Sequence, residues 1–306
     1  MSKKHALREG FSPLTITMLV ILCIYVLALF ILMFWAFMQI FKPPQQFMFK
    51  PIWFPALEDF TLDNFRAMIA YTDEQWMSAT SKFDKVGFVE IILNTILYAV
   101  GGSFVHTLSM CIMAYLSARY AYAYSKIIYT VVIVVMIVPI IGSQMSEIQM
   151  LNAIGLYDTR FGFLILKAGF VGMYFLVFYE TFKAIPMTYS EAAMIDGAND
   201  WCIMFKVCMP LVLNVFATIL LINFIQYWND YQMALLYMPS YPTLAYFLYT
   251  VQTYGQNVSV RGNIIDTAVS TVKMTTTFTL MIPILIIFIL LHEKLMGNLS
   301  IGGIKG

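Results

Sequence analysis

Residues 191–210 read EAAMIDGANDWCIMFKVCMP and interrupt an otherwise strongly apolar chain. They lie between two apolar stretches, Phe161–Phe182 and Pro210–Trp228. The first residues of the segment favour a helix, and Gly197 follows them as a residue that readily ends one. A compact segment of charged and small residues at this place predicts a loop outside the bilayer, on which another molecule docks.

The composition indicates a membrane protein. Hydrophobic residues make up 60% of the 306 residues and charged residues 11%, whereas a soluble domain carries about 25% charged residues. The net charge of +1 argues against a nucleic-acid partner. No metal site or disulfide is expected, because the three histidines are scattered and the four cysteines lack CxxC spacing.

Six apolar stretches are long enough to cross a bilayer, which takes about 20 residues. They are Thr15–Phe41, Val89–Leu116, Lys126–Ser143, Phe161–Phe182, Pro210–Trp228 and Thr275–Leu291. The first is too long for a signal peptide and lacks a small-residue cleavage site, so we expect it to be retained. Six spans place both termini on one side, and the basic residues before the first span and in the second loop favour the cytoplasmic side.

This topology divides the chain into a cytoplasmic N-terminus, a first helix, an external loop, a transmembrane core and a cytoplasmic tail. The bounds are 1–14, 15–41, 42–88, 89–294 (with an internal loop at 183–209) and 295–306. The external loop is rich in aromatic residues. Two interpretations remain open for them: an interfacial aromatic belt or a docking surface for an external partner.

The internal loop contains a predicted helix of about two turns. Thr188 and Glu191 fit a capping box at its start, and Gly197 fits its end. Such a short helix is unstable alone. Its acids, Glu191, Asp196 and Asp200, are unfavourable against anionic lipid and suit a basic protein socket. The alternative is an interfacial helix in which Glu191 serves only its own cap.

The same segment resembles the EAA loop of ABC-importer permeases. That pattern runs Glu-Ala-Ala, then Asp-Gly-Ala, then an apolar stretch that ends in Pro. The matching residues are Glu191, Ala192, Ala193, Asp196, Gly197, Ala198 and Pro210. The resemblance implies an all-α type I importer fold with six transmembrane helices. It also implies that this loop is a cytoplasmic coupling helix seated in a cleft of an ATPase subunit.

Two further stretches resemble the carbohydrate-importer branch of these permeases. Trp228–Tyr231 is similar to a W-N-D/E-[FY] stretch, and Gly302–Gly306 is close to a G-A-V-K-G ending. The resemblance covers most of the chain from about residue 89 onward. It implies a subunit that imports sugars or oligosaccharides.

The substrate pathway is expected near the external end of the fifth span. Sugars are bound by aromatic faces and by amides and carboxylates. The candidate residues are Asn223, Gln226, Trp228, Asn229, Asp230 and Tyr231. The spacing of Asn223, Gln226 and Asp230 predicts one shared helix face. The alternative is a belt tryptophan with polar residues that end a span. His106 fits either a pore-facing residue or a hydrogen-bonded packing histidine.

The chain carries no phosphate-binding loop, HExxH or GxSxG motif, so no enzymatic site is predicted. We expect it to bind no cofactor, with ATP and magnesium held by partner subunits. The resemblance implies a second permease, two cytoplasmic ATPases and an extracytoplasmic solute-binding protein, in the cell membrane of a prokaryote. The alternatives are an ABC permease for a non-sugar solute, a scaffold subunit, and an ion-coupled transporter, which would need charged relays within its spans.

Overall fold

The computed structural model describes residues 13–50, 52–79, 86–120, 123–138, 142–254 and 265–298, and the terminal stretch at 302–306 lies outside them. The described residues form helices and turns without a strand. The helices are α1 Pro13–Gln39, α2 Pro44–Phe49, α3 Asp63–Ala79, α4 Phe88–Arg119, α5 Ala123–Ile137, α6 Ser143–Ala153, α7 Arg160–Lys167, α8 Met173–Lys183, α9 Thr188–Ile195, α10 Asp200–Trp228, α11 Gln232–Tyr237, α12 Leu244–Tyr254 and α13 Ile265–Asn298.

Within the described ranges, four helices are long and apolar enough to cross a membrane: α1, α4, α10 and the part of α13 at Ser270–Leu290. They coincide with the predicted first, second, fifth and sixth spans. The predicted third span, Lys126–Ser143, corresponds to the shorter apolar helix α5. Gly142, with a φ of +86°, then separates α5 from α6, a helix that the hydropathy pattern did not predict.

The predicted fourth span, Phe161–Phe182, is wrong as a single helix, because the chain breaks between α7 and α8. Gly169 and Gly172 weaken the helix at this point. Side chains of α4 bond two of the freed carbonyls: His106 Nδ1 lies 3.1 Å from the oxygen of Lys167, and Ser109 Oγ lies 3.1 Å from that of Gly169. Non-helical backbone at membrane depth needs such partners.

α10 begins ten residues before the predicted span, at Asp200. Asn199 caps it, since its side-chain oxygen accepts a hydrogen bond from the N–H of Cys202 at 2.8 Å. A π turn follows at Ile203–Cys208. Pro210 cannot donate to a carbonyl one turn earlier, and the wider turn occurs just before it.

The chain folds as two compact units, Met1–Tyr71 with Tyr254–Phe278, and Thr72–Thr253 with Thr279–Gly306. The core of the second unit lies where α4, α8 and α10 pack together, around Met110, Tyr115, Phe178, Cys208 and Val212. Gly102 permits close packing there, because an added Cβ would lie 2.9 Å from the Phe163 ring. Small residues allow such approach between membrane helices.

In the first unit, the start of the predicted external loop folds back on the end of α1. Asn64 donates to the carbonyl oxygen of Lys42 at 2.8 Å, and the buried Lys42 donates to that of Trp53 at 2.9 Å. Phe49 and Trp53 remain 81% and 74% exposed. This part of the loop is therefore an ordered cap that presents aromatic rings, which suits either an interfacial belt or a docking surface.

Candidate coupling segment and substrate pathway

The predicted short helix of the internal loop is α9, eight residues long. Its start differs from the prediction, because Met187 already has helical dihedral angles and no side chain caps the helix. Thr188 lies inside the first turn, so the predicted capping box of Thr188 and Glu191 is wrong. The backbone builds the start instead: the carbonyl of Met187 accepts from the N–H groups of Ser190 and Glu191.

The predicted end of α9 at Gly197 is confirmed. Gly197 has a φ of +80°, which a residue with a Cβ adopts only under strain. Its N–H donates to the carbonyl of Met194 at 3.0 Å, and the N–H of Ala198 donates to that of Ala193 at 2.9 Å. These two bonds form a Schellman motif and leave α9 with a defined end.

Six of the seven residues that match the EAA pattern, all except Pro210, lie in this segment and divide between its two sides. Ala193 and Ala198 pack against the core of the unit. The other four, Glu191, Ala192, Asp196 and Gly197, are exposed. Large apolar side chains are exposed beside them: Met187, Tyr189, Met194 and Ile195, the last at 86%. The segment therefore presents an acidic and apolar surface on a short helix.

A buried arginine, which the sequence pattern indicated only as a loop charge, holds α9 from its inner side. Arg119 and Ser190 are 8% and 6% exposed. Arg119 donates to the Ser190 hydroxyl at 2.6 Å and to the carbonyl of Ile185 at 2.7 Å. Because Arg119 lies 66 residues before Ile185 along the chain, no local pattern could have identified this contact.

The next residue, Tyr120, lies near the other end of the same segment. Burial raises the pKa of the Tyr120 hydroxyl above its usual value, and the neighbouring Asp200 raises it further. The Tyr120 hydroxyl is therefore protonated at neutral pH.

The candidate pathway residues on α10 are not equally available. Asn223 is buried, and its amide donates to Thr107 Oγ1 at 2.9 Å. Trp228 is also buried, and its indole N–H donates to the carbonyl of Leu280 at 2.8 Å. Gln226 is exposed, so the residues predicted to share one face of α10 differ in their exposure.

Past the end of α10, the predicted residues lie in an aromatic and charged surrounding. Asp230 accepts from the Tyr98 hydroxyl at 2.7 Å and from the N–H of Met233 at 3.1 Å. The Tyr231 ring stacks on that of Tyr249 with centroids 4.4 Å apart. Asn229 is exposed and donates to the carbonyl of Ile225. Three of the six candidates, Gln226, Asn229 and Tyr231, therefore retain exposed surface.

Lys167 is a further charged group near these residues, and it was not among the predicted pathway residues. Its ammonium lies 4.7 Å from the centre of the Tyr227 ring and 5.6 Å from that of Phe163. No carboxylate of the described residues lies within ion-pair distance of it. Lys167 is the last residue of α7, at the break within the predicted fourth span. His106, by contrast, is a hydrogen-bonded packing residue.

Comparison with protein families matches residues 110–295 to the binding-protein-dependent transport system inner membrane component. The chain is similar to the polygalacturonan/rhamnogalacturonan transport system permease protein YtcP of Bacillus subtilis, with 26% identity over 71% of this chain and 78% of that protein. It is also similar to the diacetylchitobiose uptake system permease protein NgcG of Streptomyces coelicolor, with 23% identity over 88% and 82%.

A solved structure shares the fold. It is a chain of a bacterial ABC transporter involved in the import of the acidic polysaccharide alginate, with a TM-score of 0.74 and 21% identity. The match covers 91% of this chain and 95% of the other. Together with the apolar helices, these matches make the protein a membrane-embedded transport permease, and the chain belongs to the family of binding-protein-dependent transport system inner membrane components.

Proposed function

We propose that this chain is the membrane-spanning permease subunit of an ATP-driven, binding-protein-dependent importer of sugars or oligosaccharides. The observation that carries the proposal is the exposed, firmly held helix α9 with the family motif on its surface. The sugar class is supported by the relatives, which are named for the transport of polygalacturonan and rhamnogalacturonan, of diacetylchitobiose, and of melibiose, raffinose and stachyose.

In this proposal α9 is the coupling helix, and Glu191, Ala192, Ala193, Asp196, Gly197 and Ala198 form the ATPase-coupling motif. Glu191 supplies an exposed negative charge, and no basic side chain of the described residues forms an ion pair with it. Met194 and Ile195 add apolar area that a protein cleft would cover. The ATPase partners bind ATP with magnesium and hydrolyse it, while this chain receives their movement.

The proposed topology has six crossings with both termini in the cytoplasm. The four long helices supply four crossings, α5 supplies one, and the broken pair α7 and α8 supplies the last. A second permease subunit completes the pathway, and an extracytoplasmic binding protein delivers the solute. The spans then alternate between inward-open and outward-open arrangements.

The pathway residues in this proposal are Asn223, Gln226, Trp228, Asn229, Asp230 and Tyr231, and their contacts support different roles. Gln226, Asn229 and Tyr231 are exposed enough to touch a solute. The buried Asn223 and Trp228 shape the wall, since their polar groups already have partners. Lys167 adds hydrogen-bond donors close by.

The test is ATP-driven uptake by the complete complex in proteoliposomes. The cognate external binding protein is first screened against a panel of glycans, amino acids and peptides, and each bound solute is then offered to the transporter. We expect a sugar or oligosaccharide to stimulate ATP hydrolysis and to accumulate inside. Stimulation by an amino acid or peptide alone would reassign the substrate class, and uptake driven by an ion gradient without ATP would reject the proposal.

A further inference from the structure

The C-terminal end of α4 binds the coupling segment, which we define as residues 185–200. Arg119 bonds the carbonyl of Ile185 at its start and the hydroxyl of Ser190 within α9. The next residue, Tyr120, lies near Asp200 at the other end of the segment. Two consecutive residues at the end of a different helix thus lie beside the segment.

Backbone carbonyls and a hydroxyl surround the Arg119 guanidinium, and no carboxylate of the described residues lies within ion-pair distance of it. Arg119 is in the last turn of α4, and Ile185 lies just after the end of α8. The negative ends of two helix dipoles therefore lie near the guanidinium. Its Nη2 is also 3.5 Å from the carbonyl of Pro186 and 4.0 Å from Cys208 Sγ, while its Nε finds no acceptor among the described residues. Three of its four acceptors thus belong to the coupling segment, and the fourth, Cys208, lies on α10.

The same helix reaches the candidate pathway. Thr107 lies 12 residues before Arg119, which is about 18 Å along an α-helix, and accepts the hydrogen bond of Asn223. Further along α4, Tyr98 donates to Asp230. α4 therefore joins the coupling segment at one end to the polar residues of α10 and beyond at the other.

We propose that Arg119 is a positioning residue that locks the coupling segment to α4, so that a displacement of α9 moves α4 and the Thr107–Asn223 and Tyr98–Asp230 contacts with it. This inference rests on the proposed coupling role of α9. The guanidinium suits the task because its planar fork bonds two acceptors at once. Lysine keeps the charge but lacks that fork.

The test uses the complete complex in proteoliposomes and measures ATP molecules hydrolysed per solute molecule imported. Arg119→Lys and Ser190→Ala should raise this ratio by about fivefold or more, the lower range of allosteric coupling, while assembly stays normal in size-exclusion chromatography. Ser190→Thr retains the hydroxyl and should keep the ratio near that of the wild type. The matched control is Arg66→Lys, since Arg66 is an exposed arginine that pairs with Asp63.

A double variant distinguishes loss of the Arg119–Ser190 contact from a general disturbance of the fold. Arg119→Lys combined with Ser190→Ala should change the ratio no more than Arg119→Lys alone, because both remove the same contact. An unchanged ratio in the assembled Ser190→Ala and Arg119→Lys complexes would overturn the inference. So would a parallel loss of hydrolysis and uptake that leaves the ratio constant. Failure of the proposed function would be distinct, because the wild-type complex would then show no ATP-driven uptake.

Discussion

The coupling segment and the C-terminal end of α10 both carry conspicuous sequence motifs, and the two motifs differ in exposure. In the coupling segment, Glu191 and Asp196 are exposed, and the residues that hold the helix, Arg119 and Ser190, lie outside or beneath the motif surface. At the end of α10, the conspicuous Trp228 is buried and bonded. A motif therefore marks an exposed surface in one region and a packed residue in the other.

The difference follows from what surrounds each region. α9 is short and has one side free, so its motif residues remain available to a partner. The end of α10 is partly enclosed by α4 and by the chain that follows it, so Asn223 and Asp230 have internal partners, whereas Gln226 remains exposed. The following predictions test this contrast, from the largest expected effect to the smallest.

The largest effect is expected for Gly197→Val. Valine at a φ of +80° strains the backbone and would turn the end of α9. We expect ATP-driven uptake to fall by about tenfold or more, within the roughly 5–150-fold that a coupling free energy of 1–3 kcal/mol spans. Gly155→Val is the matched control, since Gly155 has a φ of +70° and equally open surroundings. Equal losses of uptake in the two variants would show that strain alone, not coupling, is responsible.

A charge reversal, Glu191→Lys, should come next. It places a cation where we propose that a basic cleft docks, so uptake should fall by about fivefold to tenfold while membrane insertion and thermal stability remain normal. The measurement is uptake together with binding of the ATPase subunit. Glu58→Lys reverses an exposed acid of the predicted external loop and serves as the control. Normal ATPase binding by Glu191→Lys would contradict the docking surface.

Lys167→Met tests whether this cation, which forms no ion pair with the described residues, contacts the solute. Loss of one hydrogen bond of about 0.5–1.5 kcal/mol should raise the half-saturating solute concentration by about twofold to tenfold. The maximal rate should change little. Lys183→Met is the control, because Lys183 pairs with Glu180 at the end of α8. An unchanged half-saturating concentration would leave Lys167 with a packing role only.

The smallest effect on transport is expected for Trp228→Phe. This change removes the hydrogen bond to Leu280 and should lower stability by about 0.5–1.5 kcal/mol, measured as a lower melting temperature in detergent. Uptake by the folded complex should stay near that of the wild type. Gln226→Ala should behave in the opposite way, with normal stability and weaker solute affinity. The reverse outcome would show that Trp228 contacts the solute and that Gln226 has a structural role.

Local chemistry determined a large part of this protein from its sequence. Apolar length identified the four long helices, because a bilayer admits few alternatives for such stretches. The end of α9 at Gly197 followed from glycine's freedom at positive φ. The start of α9 could not be predicted in the same way. Thr188 has the side chain expected of a cap, but Met187 occupies the flanking position and no side chain caps the helix.

Contacts between distant residues decided the rest. The break between α7 and α8 is possible because His106 and Ser109 of α4 bond the freed carbonyls. The anchoring of α9 depends on Arg119, and the task of Asn223 depends on Thr107, 116 residues away along the chain. The sequence by itself determined which segments are helical, apolar or exposed, whereas only the tertiary structure decided which polar groups remain free, because that depends on partners brought together by packing.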